Sequence, residues 1–198
     1  MEGVASEYPI ELPLRRSEHD SEAALVSRAA AGDSEAYAAL VRPHEHVAYR
    51  VAVSITGWND DAQEAVQNAY VKAYRSLRRF RRGAAFRPWL LRIVVNEARN
   101  VRRSELRHER LAERAAERRD TPAAGADETV LAREEVATVL DALTRLSEAD
   151  RLVIALRYFA QLSDAEAAEL AGTSTATYRV RLMRTRRRLE ALLEDADA

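Results

Sequence analysis

Six arginines and no acidic residue occupy the ten positions from Arg179 to Arg188, RVRLMRTRRR. At 100° per residue, Tyr178, Leu182, Thr185, Leu189 and Leu192 form one stripe of a helix, so Ala176, Val180, Met183, Arg184 and Arg187 point away from it. Arg179, Arg181, Arg186 and Arg188 flank that outward side. Small and apolar groups can touch thymine methyls, and guanidinium groups can reach guanine edges or phosphates. The chemistry on offer is the reading of duplex DNA, with Ala176, Thr177, Arg179, Val180, Arg181, Met183, Arg184 and Arg187 as the contacting set. A plain surface helix would mix in acids. This stretch has none, and it follows a short helix and a glycine turn, which favours DNA.

A second cationic set lies upstream. Arg92, Asn96, Arg99 and Arg103 are spaced by 4, 3 and 4 residues and share one helix face, with Leu90, Val94, Ala98 and Val101 opposite. The preceding loop offers Arg81, Arg82 and Phe86, next to Arg87 and Trp89. Cations along phosphates, an amide for a base edge and an aromatic for stacking suit unpaired bases. Phe80 and Trp89 read better as core anchors, and Phe86 is the aromatic left for stacking. Other chemistry is sparse. His44 and His46 face different sides of a helix without a third ligand, so no metal site is expected and His44 reads as a core histidine. Neither a glycine-rich phosphate loop nor a Ser, His and Asp constellation is present, and there is no cysteine to act as nucleophile. The expectation is a protein that is not an enzyme and has no cofactor and no small-molecule substrate.

Charge is segregated along the chain, although the formal net charge is only -1. The stretch from Lys72 to Arg119 carries 16 basic and 5 acidic residues, and Arg179 to Ala198 carries 6 and 4, while the segments before each are acidic by a net 7. Two zones that meet phosphate are therefore separated by faces suited to something else. Six Gly and five Pro among 198 residues, in a sequence rich in Ala, Leu, Arg and Glu, predict an all-α fold. The apolar run Trp89 to Val95 is broken by arginine well short of the roughly 18 residues a membrane span requires, so no membrane insertion is expected and a cytoplasmic location fits the lack of cysteine.

The elements that must hold these residues follow from caps and periodicity. Residues 1–20 read as a mobile N-terminal extension. From Asp33, a candidate N-cap, Tyr37, Val41, His44, Ala48, Val51 and Ile55 predict one long helix ended by Gly57 and Trp58. A second helix starts at Asn59 or Asp60 and buries Ala62, Val66, Ala69, Ala73 and Leu77. A third, with Pro88 near its start, runs to about Arg103 and onward through SELRHERLAERAAERR. The string DTPAAGAD at 120–127 is the one convincing linker, dividing an N-terminal helical domain at 21–119 from a C-terminal domain at 128–198. In the latter, Ser147 and Ser163 are N-caps, the second with Glu166 in capping-box spacing, and Gly172 and Ser174 separate two helices of a helix-turn-helix.

Taken together, DDAQEAVQNAYVKAY from Asp60, FRRGAAFRPWLLRIVVNEARN from Phe80 and LSEADRLVIALRYFAQLSDAEAAELAGTSTATYRVRLMRTRRRL from Leu146 resemble, in order and spacing, the bacterial RNA polymerase sigma factors of the extracytoplasmic-function group. The resemblance covers about Ser21 to Leu193. It implies a chain that binds core RNA polymerase and promoter DNA, directs the polymerase to a promoter class and helps open the duplex. It also implies that Asp61, Glu64, Gln67 and Asn68 face the polymerase, that Arg81, Arg82, Phe86, Arg92, Asn96, Arg99 and Arg103 face the minus-10 element, and that the Arg-rich helix reads the minus-35 element. An anti-sigma protein is a further partner the resemblance leaves room for. Departures are visible. Arg82 and Gly83 stand where the family usually has glycine and an acid, Asn68 where an acid is common, and Ala176 and Val180 where Gly and Ser are frequent, so the promoter sequence need not be the family's common one. The rival readings are a stand-alone helix-turn-helix regulator, which binds duplex DNA without polymerase, and a helical adaptor whose basic faces meet acidic proteins.

Overall fold

The computed structural model describes residues 16–57, 60–81, 83–115, 139 and 141–195. The expected linker at 120–127, most of the N-terminal extension, and Arg82 lie outside the described residues. Every regular element among those described is helical: α1 (Arg16–Ala30), α2 (Ser34–Val41), α3 (Glu45–Thr56), α4 (Asp60–Ser76), α5 (Phe86–Ala115), α6 (Glu148–Ile154), α7 (Asp164–Ala171) and α8 (Thr175–Glu194). None is long and apolar enough to cross a membrane.

Local chemistry explains most boundaries. Asp33 caps α2, its carboxylate accepting from the Ala36 amide at 2.9 Å and pairing with Arg28. The backbone hydrogen bond and the Arg28 guanidinium hold that carboxyl below its ordinary pKa. The expected long helix from Asp33 to Ile55 is two helices. Pro43 lacks an amide proton and crowds the preceding turn, so the chain passes through a 3-10 turn at Arg42–His44 before α3 begins. Gly57, with φ of 92°, ends α3 in a conformation other residues rarely adopt. The extension is shorter than expected, since α1 already runs from Arg16, and α1 itself was not legible as a helix.

The C-terminal elements follow the expected signals closely. Ser147 caps α6 and Ser163 with Glu166 forms a capping box at the start of α7. Gly172 sits in the left-handed region at φ 74° and ψ 37°, and Ser174 accepts from the Thr177 amide to start α8. One feature lacks an obvious sequence signal: Ala155–Phe159 forms a π turn, with the Ala160 amide bonded to the Ala155 carbonyl.

α3, α4 and α5 pack together as the heart of the N-terminal half, and α6, α7 and α8 as that of the C-terminal half. The two halves also share one apolar core. Val51, Ile55, Leu91, Val94 and Ala98 lie in the same buried cluster as Leu152, Leu156, Leu162, Ala168 and Tyr178. α3 forms most of this junction, against α6 and the π turn. A second cluster, beneath α1 and α2, holds Val26, Leu40, Leu77, Phe80, Phe86 and Leu90.

Two residues on the inner stripe of α8 have opposite polar fates. Tyr178 is fully buried and its hydroxyl donates to the Val153 carbonyl at 3.2 Å, with burial raising its pKa to about 12. Thr185 is 2% exposed and its hydroxyl has no partner among the described residues. Replacing Tyr178 by Phe removes this buried hydrogen bond and should cost about 1 kcal/mol, whereas Thr185→Val removes an unsatisfied hydroxyl and should stabilise by a similar amount. Urea unfolding of the two variants checks this pair of opposite signs, and a Thr185→Val chain less stable than the parent would overturn it.

Candidate nucleic-acid interface

The recognition helix predicted from sequence is α8, and it faces as expected. Ala176, Thr177, Val180, Arg181, Met183, Arg184 and Arg187 are exposed, and Val180 and Met183 are 44% and 49% exposed despite being apolar. Burying Tyr178 and Thr185 fixes the rotation of the helix about its axis, and so determines which residues can meet a groove. Its arginines fall into two kinds. Arg179 is held by Asp164 at 2.7 Å and Arg181 approaches Asp150 at 4.0 Å, both acids belonging to the same half of the chain. Arg186 pairs with Glu190 one turn along. Arg184 and Arg187 are exposed and have no ion pair among the described residues. Between the π turn and α8 runs a groove of about 480 Å³ with Tyr158 and Met183 exposed in it and Arg157, Arg179 and Arg186 on its rim.

The upstream face lies on α5. Asn96 and Arg103 are exposed, Arg92 is half-exposed and Arg99 half-buried. Leu90, Val94 and Ala98 on the other side are fully buried, as the spacing required. Sequence reasoning placed Phe86 among the base-stacking groups, and the structure corrects this. Its side chain is fully buried, with ring centroids 5.7 Å from His44, 6.0 Å from Phe80 and 5.5 Å from Trp89. α5 starts at Phe86 itself, with Pro88 in its first turn as expected, and the ring continues the buried stripe by one turn. Phe86 anchors the loop and offers no face to a base. Phe80 is buried and stacks edge-on against Trp89 at 5.0 Å, consistent with their reading as anchors. Arg81 is exposed at the start of the loop.

Several residues that shape this face were missed. Glu22 on α1 accepts from the Phe86 amide at 3.3 Å, so a carboxylate from a remote helix caps the N-terminus of α5. Arg87 turns away from the loop and donates to the Phe159 carbonyl at 3.0 Å. Burial lowers its pKa from the ordinary arginine value. Arg92 pairs with Glu169 on α7 at 2.5 Å, and Arg99 reaches the Ala171 carbonyl at 3.5 Å. Local periodicity carries no signal for contacts separated by more than 60 residues.

The residues predicted to meet polymerase line α4. Glu64, Gln67 and Asn68 are exposed and Asp61 is half-buried, with the Asn68 amide 3.4 Å from Glu64. Beside them Val71 and Tyr74 are exposed, giving the helix an apolar patch among acids and amides. Among the described residues there is no group of three or more His, Asp or Glu able to hold a metal ion.

The chain matches two protein families, Sigma-70 region 2 over residues 40–108 and Sigma-70, region 4 over residues 137–189. It is 36% identical over 178 residues to the RNA polymerase sigma factor NccH of Alcaligenes xylosoxydans xylosoxydans, covering 87% of this chain and 95% of that protein. Among solved structures it is similar to CnrH in complex with the cytosolic domain of CnrY, with a TM-score of 0.66, 31% identity and coverage of 90% of this chain and 100% of that one. It is also similar to the sigma factor RpoE in complex with the anti-sigma factor NepR from Bartonella quintana, with a TM-score of 0.61 and 26% identity over 77% of this chain and 95% of that one.

The aromatic anchor has a titratable neighbour. His44 is half-buried against Phe86, and its pKa is lowered from 6.5 chiefly by burial, then by the Arg87 charge, with Glu22 opposing. The unfolded chain therefore binds the proton first as pH falls, and stability present above about 6.5 is lost on the acid side. Thermal unfolding followed from about pH 7.5 to 5.5 should show this loss, and His44→Gln should flatten it. An unchanged acid slope in the variant would place the titrating group elsewhere.

Proposed function

This chain belongs to the RNA polymerase sigma factors of the extracytoplasmic-function group, and from that premise we propose how its residues divide the work. As a sigma factor it binds core RNA polymerase and promoter DNA and directs initiation to a class of promoters. The observation that carries the division is the placement of two cationic faces on different helices, one on α8 and one on α5, with an acidic and amide-rich helix, α4, preceding both in sequence. No covalent chemistry is asked of its side chains, and it works in the cytoplasm, where its polymerase is. By analogy with the complexes of CnrH and RpoE, an anti-sigma protein is a further partner.

The domain division supporting this reading is an N-terminal unit at 21–119, a linker at 120–127 and a C-terminal unit at 128–198. Asp61, Glu64, Gln67 and Asn68 dock on polymerase, since an acidic side repels DNA phosphate. On α8, Arg184 and Arg187 are the base or phosphate readers, and Ala176, Thr177, Val180 and Met183 supply the close contacts between them. Arg179 and Arg181 act from the edge of the groove, the first with its guanidinium direction fixed by Asp164 before DNA arrives and the second 4.0 Å from Asp150. On α5, Asn96 is the group able to pair with a base edge, while Arg92, Arg99 and Arg103 hold phosphates, and Arg81 and Arg82 contribute further cations for the same strand. The stand-alone regulator has no use for the exposed, acid-rich α4 or for a separate face suited to unpaired bases.

Arg184→Ala and Arg187→Ala should each weaken promoter binding by roughly 1 to 3 kcal/mol if the side chain makes a bidentate base contact, and by less if it meets only phosphate. A binding series over salt concentration separates the two cases, because a lost phosphate contact reduces the salt slope without altering sequence preference. No effect at either position would sink the assignment of α8.

Unstacking a base costs a few kcal/mol, so the α5 face gains most from strands already opened. Asn96→Ala should therefore impair open-complex formation by the holoenzyme more than closed binding, and Arg99→Ala should weaken both. Permanganate footprinting of thymines near the start site reads the difference. Normal melting with the Asn96 variant would remove that residue from the reading role.

A further inference from the structure

The loop that leads into α5 is braced at both ends by a helix from elsewhere in the chain. Phe80 and Phe86 bracket it, both buried, with ring centroids 6.0 Å apart and planes inclined at 76°. Between them the Ala84 amide donates to the Arg81 carbonyl at 3.1 Å and Gly83 takes a φ of 81°, forming a tight turn on which Arg81, Gly83, Ala84 and Ala85 are exposed. Both ends are tied to α1. On the entry side Arg78 donates at 3.4 Å to the carbonyl of Ala30, the last residue of α1, and on the exit side Glu22 accepts from the Phe86 amide at 3.3 Å. Beneath these ties Val26 and Ala29 of α1 share a buried cluster with Leu77, Phe80 and Phe86. α1 itself lies before residue 40, where the match to Sigma-70 region 2 begins.

The Glu22 tie answers a need that α5 cannot meet with its own residues. Ala85, which precedes its first turn, has a methyl group that accepts no hydrogen bond. That first turn holds no acid, yet it holds Arg87, a cation at the positive end of the helix. We propose that Glu22 is a positioning residue for capture of the opened minus-10 strand: by accepting from the Phe86 amide, it sets the direction in which the turn between Phe80 and Phe86 is presented to a base. The inference rests on the reading of the α5 face given above. Burial of the two rings holds the ends of the turn close together but is non-directional, whereas a hydrogen bond to a backbone amide fixes an angle. Drawing a base out of its stack is costly, and a turn already in place offsets more of that cost than one that must be ordered on contact. Glu22 is suited to hold the turn and not the strand, since it is half-buried at the helix end and a carboxylate repels phosphate.

The test uses the holoenzyme and single-stranded minus-10 oligonucleotides varied one base at a time, which map the base preference of the parent chain position by position. Glu22→Ala should flatten that preference by about three- to tenfold at the position the turn reads, the scale of one lost helix cap. Glu22→Gln keeps an acceptor oxygen and should stay within about twofold of the parent. Gly83→Ala locates the position independently. A Cβ there meets nothing within 4 Å, so this variant alters only the backbone preference of the turn and should flatten the same position. Ser147→Ala removes a cap from α6 in the C-terminal half and should leave the preference intact. A Glu22→Ala holoenzyme that binds every oligonucleotide more weakly by one common factor has lost stability alone, and overturns the positioning role. So does a Glu22→Gln chain as defective as Glu22→Ala, because the effect then lies in the charge and not in the hydrogen bond. Full base preference in Glu22→Ala, while Arg103→Ala weakens every oligonucleotide, would likewise remove α1 from strand capture. If Arg103→Ala is silent too, the reading of the α5 face fails and the role of Glu22 with it.

Discussion

A guanidinium set against the carbonyl end of a helical segment is the contact on which the arrangement of this molecule turns. Arg151 meets the Ser54 carbonyl near the end of α3, Arg87 meets Phe159 at the end of the π turn, and Arg99 approaches Ala171 at the end of α7. Each helix leaves its last carbonyls without an internal partner and carries partial negative charge there, and arginine answers both needs with one planar group. Arg50 adds a related contact, its guanidinium 4.7 Å from the centre of the Phe159 ring. The shared apolar cluster supplies burial between the halves, but burial is non-directional. These donors fix which helix end lies over which, and hence which arginines remain for DNA.

That constraint sorts the arginines, which by composition alone are indistinguishable. Of the 31 basic residues only Lys72 is not arginine, and it pairs with Glu97 across α4 and α5. Arg87 and Arg151 are partly buried and structural, with their pKa values lowered by desolvation. Arg179 and Arg181 are exposed but restrained by acids, and Arg184 and Arg187 are exposed without an ion pair among the described residues. A count of charges marks α8 as cationic, whereas only its partners separate a reader from a clamp.

What was legible in the sequence follows the same division between local and remote. Caps at Asp33, Ser147, Ser163 and Ser174, the turn at Gly172 and the rotation of α8 are all decided within a few residues, by side-chain hydrogen bonds and by a 3.6-residue period. The break at Pro43 was equally local, yet an apolar stripe that continues through His44 masked it. Phe86 was misread because its neighbours are arginines. Extending the buried stripe Leu90, Val94 and Ala98 one turn back reaches position 86 and would have placed the ring inside. Glu22 over the Phe86 amide, and Glu169 beside Arg92, join residues 64 and 77 positions apart, and no periodicity encodes such pairs. α1 escaped notice because its sequence, RSEHDSEAALVSRAA, is mostly polar and holds few large apolar groups.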